Sequence, residues 1–169
     1  VMVVNGERTI FSYHSTGEKD ITAIPQTKWV YLTNPPGRDS EAITNLGLSE
    51  HNFKLACNPG KDFKPELLAI TDILILNKEE QEKLSVLGPK ITVVTDGKNG
   101  AKVFENGKLV FEKPSVATEV VEVTGAGDAF SSGFLAAIFY DKNLEEALDW
   151  GLKNSASVIS KVGATDGLL

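Results

Sequence analysis

Val123-Thr124-Gly125-Ala126-Gly127-Asp128-Ala129-Phe130 decides how the rest of this 169-residue chain is read. Two glycines bracket one small residue, with β-branched side chains before them and an apolar helical pattern after them. The stretch is expected to carry a strand, Val120–Val123, straight into a helix, leaving main-chain N–H groups that no side chain covers. Such amides point outward at the positive end of a helix dipole and form an anion hole. Asp128 stands beside it. A carboxylate repels phosphate, so it serves phosphate binding poorly. It suits transfer of a phosphoryl group to a hydroxyl, where it takes the acceptor's proton while the amides hold charge on the moving phosphate. A plain alternative stands alongside: the glycines shape a tight turn and Asp128 caps a helix. The segment lacks the Gly-Lys-Ser/Thr of a P-loop, and Phe130 takes the place of the third glycine of a dinucleotide-binding loop. A dehydrogenase of that kind would also need a strand-end acid about 20 residues further on, which is missing.

Working outward, the chain alternates in βα fashion. Trp29–Leu32, Phe53–Cys57, Ile73–Leu76 and Ile91–Thr95 read as strands, the last two as continuous apolar runs suited to a parallel sheet covered on both faces. Ser40–Leu46, Pro65–Ile70 and Lys78–Leu87 read as helical segments between them. Asn5-Gly6 and Asn106-Gly107 are turn pairs, predicting hairpins of Val1–Val4 with Arg8–Phe11 and of Lys102–Glu105 with Leu109–Glu112. Two helices follow the glycine turn. Phe130, Phe134, Ala137 and Ile138 share one face of the first, with Gly133 permitting close approach, and Leu144, Leu148, Leu152 and Ile159 repeat along the second. The expected class is α/β, layered about a mostly parallel sheet. Ligands of such sheets sit where strands lead into helices, which singles out Asn77–Glu80, Thr95–Gly100 and Thr124–Asp128.

Composition narrows the class further. The hydrophobic set makes up 41% of the residues, and the 15 glycines bring the apolar share to the usual globular level. One domain of this length buries roughly two-thirds of its unfolded surface. The longest apolar stretch, FLAAIFY at Phe134–Tyr140, falls far short of the ~20 residues a membrane helix needs. With 17 basic and 23 acidic residues the net charge is −6, which attracts neither nucleic acid nor an anionic membrane. The single cysteine, Cys57, favours a reducing compartment, so a soluble cytoplasmic domain is expected. The opening residues carry no charged n-region followed by an apolar h-region, so no secretory leader is expected, and a start inside a hairpin suggests a fragment, with a short natural chain as the alternative.

Val123–Phe134, VTGAGDAFSSGF, closely resembles the C-terminal signature of the PfkB/ribokinase family of sugar and nucleoside kinases, read there as DTTGAGDxF. Asn77-Lys78-Glu79-Glu80 is similar to the family's N-x-x-E motif, and Thr95-Asp96-Gly97-Lys98-Asn99-Gly100 to its T-x-G-x-x-G nucleotide loop. The opening NGERTIF, Asn5–Phe11, resembles a hairpin found midway through such kinases. The resemblance implies a ribokinase-like three-layer α/β/α fold with a mostly parallel central sheet. Residues 1–169 would form one kinase domain, the C-terminal portion of the family fold, with 1–22 a hairpin and lid-connected segment. It implies an ATP-dependent phosphotransferase that moves the γ-phosphoryl group to a hydroxyl of a sugar or nucleoside.

Carried over by position, Asp128 is the base, and Gly125, Ala126 and Gly127 are the anion hole. Asn77 and Glu80 organise Mg²⁺ and its waters, while Thr95, Asp96, Gly97 and Gly100, with Gly127, line the nucleotide. Asn77 and Glu80 also spell a helix cap and its partner, and the two readings are compatible. Glu122, Thr124 and Gly163 fall where relatives bind a monovalent cation such as K⁺, although Glu122 is one methylene longer than the usual Asp. Where some relatives carry an adenine-contacting Asn this chain has Leu152, with Asn154 two residues on. His14, His51 and Lys98 read as surface residues, Trp29 and Trp150 as packing residues.

Family members are nearly twice as long, and the N-terminal half that grips the acceptor has no counterpart here. The chain alone is therefore expected to be a weak kinase with an exposed sheet edge. Lids of the family pair across dimers, so a homodimer is an expected partner beside the nucleotide and the acceptor. The alternative function is nucleotide binding without catalysis, which would leave Asp128 without a task.

Overall fold

The computed structural model describes residues 28–33, 53–60, 65–84 and 88–169, together with the backbone of 2–4 and 7–9. The predicted helix Ser40–Leu46, the Asn5-Gly6 turn, His14 and His51 lie outside the described residues. The opening hairpin pairs β1 (Met2–Val4) with β2 (Glu7–Thr9), its return strand one residue earlier than expected.

Six strands form the main sheet in sequence order: β3 (Trp29–Thr33), β4 (Lys54–Asn58), β5 (Ile73–Asn77), β6 (Ile91–Thr95), β7 (Ala101–Glu105) and β8 (Lys108–Lys113). The pairs from β3 to β6 are parallel, and the last two pairs are antiparallel. Asn106 (φ 50°) and Gly107 (φ 76°) supply the left-handed pair that turns β7 into β8. Helix α1 (Lys78–Leu84) follows β5, and Pro65–Ile70 is a 3₁₀ turn rather than an α-helix. Helices α2 (Ala126–Phe139) and α3 (Leu144–Ile159) complete the chain.

Alternation along the strands builds two cores. Ile73 and Ile75 join Val93, Val103, Phe130, Phe134 and Leu148 beneath α2 and α3. Leu74 and Leu76 point the other way, against Leu55, Cys57, Leu67 and Ile70. Burial pushes the Cys57 thiol up to about 12, so it stays neutral in the folded chain. The two helices close through glycines. A Cβ on Gly133 would stand 2.8 Å from the Trp150 carbonyl oxygen, and one on Gly151 would stand 2.9 Å from the Phe130 ring. Asn143 starts α3 with a reciprocal capping box to Glu146.

One expected strand is absent. Val120–Val123 lies outside the sheet with a bend at Val121, and Val120, Val121 and Val123 are all more than half exposed. Its β-branched run has no strand edge to meet. The Val121 and Glu122 N–H groups donate instead to the Ile159 carbonyl, at 2.8 and 3.2 Å, at the end of α3. The glycine turn therefore joins a loop, not a strand, to α2.

Candidate active site

Parallel strands bring their carboxyl ends to one edge, and two of the three motifs, Asn77–Glu80 and Thr95–Gly100, follow β5 and β6 there. Asn77 and Thr95 are register partners at the ends of β5 and β6. Asn77 Oδ1 accepts the Glu80 N–H at 2.9 Å while Glu80 Oε2 accepts the Asn77 N–H at 2.9 Å, so the anticipated capping box forms. Only Oε2 of the Glu80 carboxylate is engaged in it. The next loop is tied to this one by Lys78 Nζ, which reaches Asp96 Oδ2 at 3.1 Å, while Asn99 Nδ2 donates to the same oxygen at 3.2 Å. These hydrogen bonds hold the Asp96 carboxyl below its ordinary value, and the lysine is raised by the same contact. Gly97 (φ 50°) and Gly100 (φ 97°) allow the tight 3₁₀ turn between Asp96 and β7. Lys98 is exposed, as expected.

Gly125, at φ 82°, is the N-cap of α2 and supplies no side-chain cap. A Cβ there would lie 2.5 Å from the Ala164 carbonyl oxygen, so the tail after α3 presses against the turn. The Ala126 N–H turns back to the Val123 carbonyl at 3.3 Å, and the Ala129 N–H makes the first helical bond, to Gly125 O at 2.8 Å. Among the described residues no backbone carbonyl takes the N–H of Gly127 or Asp128. A Cβ on Gly127 would meet nothing within 4 Å, so this side of the turn is open. The Asp128 side chain is exposed rather than folded into the core. Ser131 Oγ and Ser132 Oγ donate to the carbonyls of Gly127 and Asp128 at 2.9 and 2.8 Å, back-bonding one turn along the helix.

Sequence reasoning missed Tyr31 on β3. Burial raises its phenol, a hydrogen bond with Ser131 draws it partly back, and the charge of Asp128 raises it again. Tyr31 and Ser132 of α2 line one cleft. Nothing in the local sequence of Tyr31 marks it, because the approach spans a long separation along the chain. Among the described residues no hydrogen bond or ion pair ties Asp128 to Asn77, Glu80 or Thr95.

The three residues at the expected cation position are partly assembled. Glu122 Oε2 accepts the Gly163 N–H at 3.0 Å, and Thr124 Oγ1 is buried without a partner. No group of three or more His, Cys, Asp or Glu side chains converges on a metal position among the described residues. No helix among them is long and apolar enough to cross a membrane.

Comparison with known proteins follows the same lines. An ATP-dependent 6-phosphofructokinase of Thermoanaerobacterium thermosaccharolyticum is 33% identical over 118 residues, which cover 62% of this chain and 36% of that protein. A nucleoside kinase of Methanocaldococcus jannaschii is 27% identical over 165 residues, covering 80% of this chain and 54% of that protein. The solved nucleoside kinase of M. jannaschii, an archaeal member of the ribokinase family, superposes with a TM-score of 0.76 at 23% identity over 84% of this chain and 52% of its own. Ribokinase of Thermotoga maritima superposes with a TM-score of 0.73 at 22% identity, covering 85% of this chain and 54% of that one. Arabidopsis thaliana ribokinase, complexed with ribose and ATP, does so with a TM-score of 0.67 at 24% identity over 81% and 51%. The fold is thus ribokinase-like and corresponds to its C-terminal portion, and the chain spans from 36% to 54% of the length of these relatives. A model of pfkB family carbohydrate kinases matches residues 59–169, and the chain belongs to that family.

Proposed function

We propose that this chain supplies the nucleotide-binding and proton-accepting half of an ATP-dependent kinase whose acceptor is a hydroxyl of a sugar or nucleoside. One observation carries the reading: an exposed carboxylate, Asp128, stands on the helix turn whose own Gly127 and Asp128 amides have no backbone partner. As the acceptor oxygen attacks the γ-phosphorus, the bond from that phosphorus to the β–γ bridging oxygen breaks, ADP leaves, and the acceptor's proton passes to the Asp128 carboxylate. Charge gathered on the phosphoryl oxygens is met by the Gly127 and Asp128 N–H groups and the positive end of α2. A phosphate oxygen there also competes with Val123 O for the Ala126 N–H, whose bond is long at 3.3 Å. Thr95, Asp96, Gly97 and Gly100 border the nucleotide from the adjoining loop. Without Asp128 the turn would still bind phosphate, and this is why we favour transfer over binding alone.

The hard oxygen donors Asn77 and Glu80, with no cluster of three metal-ligating side chains among the described residues, fit a Mg²⁺ ion that keeps its waters and binds mainly through phosphate. When bound, that ion neutralises phosphate charge; Asn77 and Glu80 orient its waters. Thr124 Oγ1, buried and unpartnered, offers an oxygen to a monovalent cation at the turn, while Glu122 is drawn to Gly163.

Asp128→Asn tests the reading. With Mg²⁺–ATP and a panel of sugars and nucleosides, the variant is expected to keep nucleotide affinity within about twofold. Phosphoryl transfer, followed in single turnovers with the chain extended to the length of its relatives, should fall by a factor of about 10³ or more. Transfer within tenfold of the parent chain would remove Asp128 from the role of base.

A further inference from the structure

Asn154, in the third turn of α3, is 5% exposed, and both ends of its amide are used. Nδ2 donates to the Ala129 carbonyl at 2.7 Å, and Oδ1 accepts the Leu169 N–H at 2.8 Å. Ala129 follows Asp128 directly. Leu169 belongs to the tail that lies against Gly125 through Ala164 and is tied to Glu122 through Gly163. One buried side chain thus joins both sides of the glycine turn: the helix residue just beyond it and the segment packed behind it. The crossing of α2 and α3 permits this, since a Cβ on Gly133 would stand only 3.0 Å from Cβ of Asn154.

We propose that Asn154 is a positioning residue for the phosphate-facing turn, acting through Ala129 on the Gly127 and Asp128 amides and through Leu169 on the tail. It rests on the reading of that turn as an anion hole. A buried amide leaves a carbonyl and an N–H unsatisfied when removed, so its loss is felt at those two points before anywhere else.

Two variants of the 169-residue chain separate the bonds. Asn154→Leu has a similar volume and removes both. Asn154→Asp keeps an acceptor for Leu169 and loses the donor to Ala129. Amide hydrogen exchange should quicken at least tenfold at residues 129–133, the first protected amides of α2, in both variants, and at 163–169 only in Asn154→Leu, with α1 and the sheet unchanged. Titration with Mg²⁺–ATP should show about a tenfold loss of affinity in both, following the Ala129 bond. Uniform acceleration across α2 and α3, or wild-type exchange and affinity in Asn154→Asp, would overturn the proposal. If Asn154→Leu does not fold, Asn154→Asp alone carries the test. If the parent chain takes no Mg²⁺–ATP, the anion-hole reading falls, while the exchange pattern still decides whether Asn154 orders the turn.

Discussion

Gly125 and Gly127 stand two residues apart and have opposite reasons for lacking a side chain. Gly125 combines φ 82° with a Cβ position 2.5 Å from the Ala164 carbonyl oxygen, so a methyl group there meets backbone on a strained residue. Gly127 carries no left-handed φ, and its Cβ position is open. Gly125→Ala should lower unfolding free energy by at least about 2 kcal/mol in urea titrations. Gly127→Ala should leave stability unchanged or raise it by up to about 1 kcal/mol, because alanine is the better helix residue. Its cost should appear in ligand binding, as at least a tenfold loss of Mg²⁺–ATP affinity by calorimetry. Equal loss of stability in both variants would show that Gly127 is also a folding requirement.

At the scale of elements, capping separates helices that serve structure from one that also serves the site. Asn143 and Asn77 make the same reciprocal box, to Glu146 and Glu80. Alanine at either should cost about 1 kcal/mol of stability. Only Asn77→Ala should also raise the Mg²⁺ concentration needed for half-maximal ATP binding; an equal rise in Asn143→Ala would reduce Asn77 to a cap. The strands were legible because their apolar runs are short and bounded by Gly, Pro or Asn, and the central three, β4, β5 and β6, are buried on both faces. Ile91–Thr95 has the bounds its sequence suggests. Val120–Val123 misled because β-branched residues signal extended backbone but say nothing about a partner edge. The motif residues could be read at their junctions. Asn154 could not, since its partners Ala129 and Leu169 are brought close to it only by packing.

For the whole molecule, the two edges of the sheet differ. β8 carries Lys108, Glu112 and Lys113; Lys113 is paired with Asp149 and Glu145, and charge of this kind discourages pairing with another sheet. β3, Trp-Val-Tyr-Leu-Thr, has no charged residue. Beside it lies a largely apolar cleft of about 300 Å³ lined by Trp29, Tyr31, Leu135 and Phe139 among others. Relatives about twice as long have further chain to place, and among the described residues this side offers both an unpaired strand edge and an apolar groove. The 169-residue chain by itself should therefore self-associate in sedimentation velocity as concentration rises. Phe139→Lys, at a residue 59% exposed, should shift it toward monomer without lowering its melting temperature by more than a few degrees. Unchanged association would place the contact elsewhere.

Cys57 is the chain's single thiol, and it lies fully enclosed among Leu55, Leu67, Leu74 and Leu76. Because the thiolate is the reactive form and burial withholds it, an alkylating reagent must wait for that side of the sheet to come apart. Each modified molecule then records one opening event, which gives the chain a built-in clock for its own breathing.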